Sequence, residues 1–199
     1  MGLFDRKSPE TKFWDWFSEN SERFTGPDSP VLKPLAEKIH SIHPELTFEF
    51  SLPKGLEREF IISADGVAST IPAVEKLYAA APVIPGWKIL KYRQRGQSDD
   101  MELEFAETKF DSSDFRVTLE RDGSLVGITI FIRDINRASE DKYQGAAWIF
   151  LDNAIGEYDT MTKIGFVEFA DSSVDSELPK YTLRELPQAF DEFFKGMNR

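Results

Sequence analysis

The sequence predicts an α+β protein in which two hairpin-helix-strand units build a mixed, largely antiparallel sheet, with two helices ahead of them and one after. Three observations lead there. Apolar residues at helical spacing alternate along the chain with stretches of period-two alternation, so helices and strands are interspersed. The order hairpin, helix, strand occurs twice, over residues 46–93 and 115–169, which makes pairing of the two halves into one sheet the economical arrangement. The chain has 199 residues, 41% of them hydrophobic and 30% charged, enough to bury roughly 70% of its unfolded surface without staples. No Pro- or Gly-rich linker separates the halves, so residues 1–199 are expected to form a single domain, with 1–7 a flexible N-terminus and 171–180 an exposed loop.

Each element has a local cause. Ser8-Pro9-Glu10 supplies an N-cap, a first-turn proline and a first-turn acid, and Phe13, Phe17, Asn20 and Phe24 follow at helical spacing. Gly26-Pro27 ends that helix. Ser29-Pro30 starts a second, with Leu32, Leu35, Ile39 and Ile42 on one stripe and Pro44 beyond it. Leu46, Phe48, Phe50 and Leu52 alternate with polar residues as a half-buried strand, joined through Pro53-Lys54-Gly55 to a partner at 59–64. Asp65-Gly66 turns the chain into a helix from about Ile71 to Ala80, and 87–93 reads as the next strand. Residues 96–114 mix acids with Met101, Leu103 and Phe105 and suggest one short edge strand. Asp122-Gly123 between apolar alternations predicts a hairpin of 115–120 with 125–132. After a polar linker at 134–139, a helix is expected at 140–155, burying Ala147, Ile149, Phe150 and Leu151 and closed by Gly156 as its C′ residue. A strand at 162–169 follows, and 183–195 forms the last helical segment, with Pro187 restarting it and Phe190, Phe193 and Phe194 as its docking face.

Composition removes several function classes. There is no Cys, so thiol nucleophiles, disulfides and zinc ribbons cannot form. The N-terminus lacks an apolar core of export length, and Arg6 stands where a myristoylation signal needs Ser or Thr. No run approaches the roughly 20 apolar residues that span a bilayer. A soluble cytoplasmic protein is the expectation. The formal net charge of −11 argues against nucleic acid and anionic membrane as partners, because phosphate contacts come from clustered Lys and Arg. The acidity suits either a basic protein partner or solubility through mutual repulsion.

Four constellations carry chemical potential. Asp152, Asn153, Glu157 and Asp159 surround a helix end; they suit a hard cation or an acid/base pair, although the spacing matches no calcium loop, or they are a polar helix terminus bonded to nearby backbone. Asp65, between strand and helix, is either a ligand-binding group or turn chemistry with Gly66. Arg93 and Arg95, placed on one strand face by alternation, are either a bidentate anion site facing Asp65 or Asp152, or surface charge partners. Trp14 and Trp16 widen the apolar face of the first helix, so they either dock on the core or mark an interface. His40 and His43 are too few for a zinc site, and a Ser-His-Asp set lacks a Gly-x-Ser-x-Gly elbow. No metal and no cofactor is expected.

The blocks Phe13-Trp14-Asp15-Trp16-Phe17 with Asn20, Ile61-Ile62-Ser63-Ala64-Asp65-Gly66, and Leu151-Asp152-Asn153-Ala154-Ile155-Gly156-Glu157-Tyr158-Asp159 together resemble a bacterial protein family of unknown function. The resemblance spans most of the chain and implies a bacterial cytoplasmic protein of one domain, without supplying catalytic residues. Two functions stand against each other at this point. One is a non-catalytic acidic protein-binding module that neutralises a basic partner such as a toxin. The other is a small hydrolase or ligand-binding enzyme using Asp65, Arg93, Asp152 and Glu157 in a cleft. Convergence of those residues with displaced carboxylate pKa values favours the enzyme; an acidic or aromatic patch favours the binder.

Overall fold

The computed structural model describes residues 7–26, 28–51, 57–96, 102–105, 108–133, 135 and 140–197. Residues 1–6 of the flexible start expected at 1–7, the Pro53-Lys54-Gly55 link, Met101 and all of the 134–139 linker except Ile135 lie outside the described residues, while Lys7 pairs with Asp15 at 2.7 Å. The fold is α+β, with six α-helices and three mixed or antiparallel sheets among the described residues. The chain divides into two compact units, Met1–Arg93 and Gln94–Arg199.

In the first unit α1 runs Pro9–Asn20, capped by the Ser8 hydroxyl, which accepts from the Thr11 amide at 3.1 Å. A 3-10 turn, Ser21–Arg23, then α2, Leu32–His40, follow. Strands β1 (Thr47–Phe50) and β2 (Arg58–Ser63) pair antiparallel, α3 (Ile71–Ala79) crosses over, and β3 (Trp87–Lys91) returns parallel to β2. The core is aromatic. Phe60 is fully buried at its centre and its ring meets those of Phe13, Trp14, Phe17, Phe48 and Phe50.

The second unit opens with a two-stranded sheet, β4 (Glu102–Phe105) against β5 (Thr108–Asp111), where one edge strand was expected. Strands β6 (Phe115–Asp122) and β7 (Leu125–Ile132) form the expected hairpin, and the Asp122-Gly123 turn has Gly123 at φ 61°. Helix α4 spans Glu140–Ile155, and β8, Ile164–Asp171, returns parallel to β7. The core here is mostly aliphatic, from Val126, Ile128, Ile130 and Ile132 to Leu151, Ile155 and Leu186. Helix α6, Leu186–Met197, closes the unit with Leu186 and Phe190 buried.

Both halves therefore have the expected order of hairpin, helix and parallel strand, but each builds its own three-stranded sheet, with orders β1-β2-β3 and β6-β7-β8. Period-two alternation marks a strand as half-buried without specifying its neighbour, so the repeated plan is met as well by two small sheets as by one. Three local expectations also change. Gly156 does not lead directly to a strand: at φ 93° it separates α4 from a further helix, α5, Glu157–Lys163. Ile149 is 37% exposed rather than buried, because the inward face of α4 is taken by Ala146, Ala147, Phe150, Leu151 and Ala154. Strand β3 stops at Lys91 because Tyr92 adopts φ 62°. The 172–180 segment forms no element and most of it is exposed; its end is tied down by Lys180, which donates to the Val174 carbonyl at 2.8 Å and lies 3.8 Å over the Phe131 ring.

Candidate functional sites

Asp65 and Arg93 meet in the first unit, at the ends of the parallel strands β2 and β3. Arg93 donates through Nη2 to Asp65 Oδ1 at 2.8 Å and through Nε to Glu49 Oε1. Asp65, at φ 51°, and Tyr92 are the two described non-glycine residues with positive φ. Beside them Glu75 of α3 accepts from Lys91 Nζ at 2.8 and 2.9 Å and from the Tyr92 hydroxyl at 2.9 Å. The ammonium of Lys91, then the Tyr92 hydroxyl, hold the Glu75 carboxyl below the usual carboxylate range against the opposing effect of partial burial.

Arg95 belongs to a different constellation, in the second unit. Its guanidinium donates to Asp191 Oδ1 and Oδ2, both at 2.8 Å, to Asp159 Oδ2 at 3.0 Å, and through Nε to the Ile155 carbonyl. Lys163 adds a second cation to Asp159 at 2.8 Å. The hydrogen bond from Arg95 holds Asp191 below its ordinary pKa, and the same pairing raises that of Arg95. Next along the chain, the Gly96 amide donates to the Asn153 carbonyl at 2.8 Å, and a Cβ at Gly96 would lie 2.9 Å from Asn153 Oδ1. One guanidinium thus caps the C-terminal end of α4 and ties it to α5 and α6, a task that uses its fork and its charge together.

These placements correct the sequence expectations. Arg93 and Arg95 do not share a strand face, since positive φ at Tyr92 takes the chain out of β3 before either arginine. Arg93 faces Asp65, whereas Arg95 bonds Asp159 and not Asp152. Asp152 and Glu157 are buried, Glu157 completely; the Asp152 carbonyl accepts the Gly156 amide at 2.9 Å as the α4 ladder ends. Asn153 has its Oδ1 buried without a hydrogen-bond partner. Trp14 is 2% exposed and donates its indole N–H to the Leu77 carbonyl at 2.8 Å, while Trp16 packs edge-on to Phe24 beneath Lys38. The aromatic surplus of α1 is thus used inside its own unit. No group of three or more metal-ligating side chains occurs among the described residues, and no described helix is long and apolar enough to cross a membrane.

Sequence reasoning missed Glu49, Glu75, Lys163 and Asp191 as partners, since Asp191 lies 96 residues from Arg95 and nothing local marks it. It also missed Trp148, 43% exposed beside Ile149 on α4. A signal was present there: α4 is apolar on both faces, which a helix with one solvated side does not need. No family model, curated protein or solved structure matches this chain.

Proposed function

We propose that the chain is a non-catalytic acidic protein-binding module that neutralises a basic partner, working in the bacterial cytoplasm as the family resemblance implies. The observation that carries this reading is the partition of charge. Residues 94–199 hold 22 acidic against 12 basic residues, a net of −10, whereas residues 1–93 hold 13 against 12. Solubility alone gives no reason for one unit to take nearly all of the excess, and a one-sided field is what steers an oppositely charged protein into encounter.

Glu75 and Asp191, the carboxylates paired with Lys91 and Arg95, are held below the usual carboxylate range by those cations, which suits charged acceptors in ion pairs. The arginines proposed for an anion site already bind carboxylates of their own units.

The test is capture of basic proteins by immobilised full-length chain, beside a variant with Glu102, Glu104, Asp175 and Glu177, all exposed, changed to Gln or Asn. A stoichiometric basic partner whose retention falls in the variant and with added salt is the expected result. Retention indifferent to both changes would remove charge from the explanation.

A further inference from the structure

Four partly exposed aromatic rings in this molecule lie beneath its own cations. Lys38 lies 5.1 Å from the centre of the Trp16 ring, Arg58 5.8 Å from Trp87, Lys91 5.5 Å from Tyr78 and Lys163 5.0 Å from Phe194. Of the four tryptophans, Trp14 is buried, Trp16 and Trp87 lie under cations, and Trp148 is in neither position. It is 43% exposed, and among the described residues no cation lies over its ring, no other ring packs on it and its indole N–H has no hydrogen bond. Ile149, next to it, is 37% exposed. The pair stands on the outer side of α4, in the unit that holds the excess of ten negative charges.

We propose that the Trp148–Ile149 face of α4 is the docking surface of the acidic module, and that its occupant is an amphipathic segment of a basic protein which lays an Arg or Lys over the Trp148 ring and an aliphatic residue on Ile149. This rests on the acidic-module reading and adds a place and a contact to it. An electron-rich indole face attracts a cation most strongly among the aromatic side chains, and the net negative charge of its unit favours a cationic occupant. A second copy of the chain fits less well, because it would bring a second unit of net −10 to the same surface. Trp148 is also cheap to use: its ring is already held out on a helix, so binding orders few rotors.

The test is calorimetric titration of the full chain with a synthetic amphipathic peptide of Arg and Leu, and with the same peptide carrying citrulline in place of Arg. The Arg peptide is expected to bind wild type, with binding about threefold to thirtyfold weaker to Trp148→Leu, which keeps apolar area but loses the ring, and intermediate for Trp148→Phe. The citrulline peptide is expected to distinguish wild type from Trp148→Leu much less. Unchanged, salt-sensitive binding of the Arg peptide to Trp148→Leu overturns this docking face and leaves the acidic-module reading standing. Failure of the Arg peptide to bind wild type at low salt overturns both. Self-association of wild type that protects Trp148 from a fluorescence quencher, and that Trp148→Leu abolishes, assigns the face to a second copy and overturns the proposed occupant.

Discussion

Removing the Arg95 guanidinium tests whether the second unit is held at its helix junction by charge. Arg95→Ala deletes four hydrogen bonds, two to Asp191, one to Asp159 and one to the Ile155 carbonyl. In a dry interior, charge-assisted bonds of this kind would be worth about 1.5–3 kcal/mol each. The Arg95 side chain is 33% exposed and that of Asp191 57%, so solvent screening brings each ionic contact to about 0.5 kcal/mol. Capping the last carbonyls of α4 contributes about 1 kcal/mol more. The expected loss is therefore about 2–3 kcal/mol at pH 7, read as a shift in the urea midpoint. Arg95→Lys should recover less than half of it, since an ammonium cannot reach three acceptors in a fork. The pH dependence has a definite sign. Asp191 is held below its ordinary value chiefly by the Arg95 hydrogen bond, so its contribution is present above the unfolded-state pKa and is lost as pH falls through the folded one. The raised pKa of Arg95 acts only in strong alkali. The gap between wild type and Arg95→Ala should hold constant above about pH 5 and be smaller near pH 3, where the Asp191 contribution is being lost. An equal gap at both pH values would refute the electrostatic account and leave only the packing of the aliphatic stem.

Three further substitutions probe the elements that position these sites. A Cβ on Gly127 of β7 would sit far inside contact distance of the Phe166 ring and 3.0 Å from Cγ of Glu120; Gly127→Ala should destabilise by about 1–2 kcal/mol in a thermal melt after allowing for its stiffer unfolded chain. Trp14→Phe removes the indole bond to the Leu77 carbonyl and leaves a small void in the aromatic core, an expected loss of about 2 kcal/mol in urea titration. Gly156→Ala forces a side chain onto φ 93°, ψ 138° between α4 and α5, a cost of about 1–3 kcal/mol that hydrogen exchange should show first at the α5 amides.

What was legible in the sequence was what short-range physics decides. Ser8-Pro9 announced α1, Asp122-Gly123 announced the β6-β7 hairpin, and the alternation of Leu46, Phe48 and Phe50 announced β1, because each signal acts within a few residues of its effect. Gly156 was legible as a break but not as the start of α5, since one glycine with positive φ ends a helix in the same way whether a strand or another helix follows. The single sheet was misjudged for a different reason: period two reports that a strand is half-buried, not which strand it neighbours. The arginine face failed at one residue. Tyr92 enters positive φ with nothing in its chemistry to advertise it, and alternation carried past that point put Arg93 and Arg95 together when their partners are Glu49 and Asp65 in one case and Asp159 and Asp191 in the other.

The two units make an internal comparison that separates architecture from surface. Both have an antiparallel hairpin, a helical crossover and a parallel third strand, so the strand plan by itself cannot distinguish what they do. One fills that plan with interlocking rings around Phe60 and is nearly neutral. The other fills it with Val, Ile and Leu, carries the excess of acid, and leaves an indole uncovered on its crossover helix. Dispersal alone gives no reason for the acid to gather in one unit, and among the described residues of that unit Trp148 lacks a cation like those over Trp16 and Trp87. The coincidence of bare aromatic surface with unbalanced charge in the same unit is the feature to be explained, and the proposed basic partner on α4 would account for both at once.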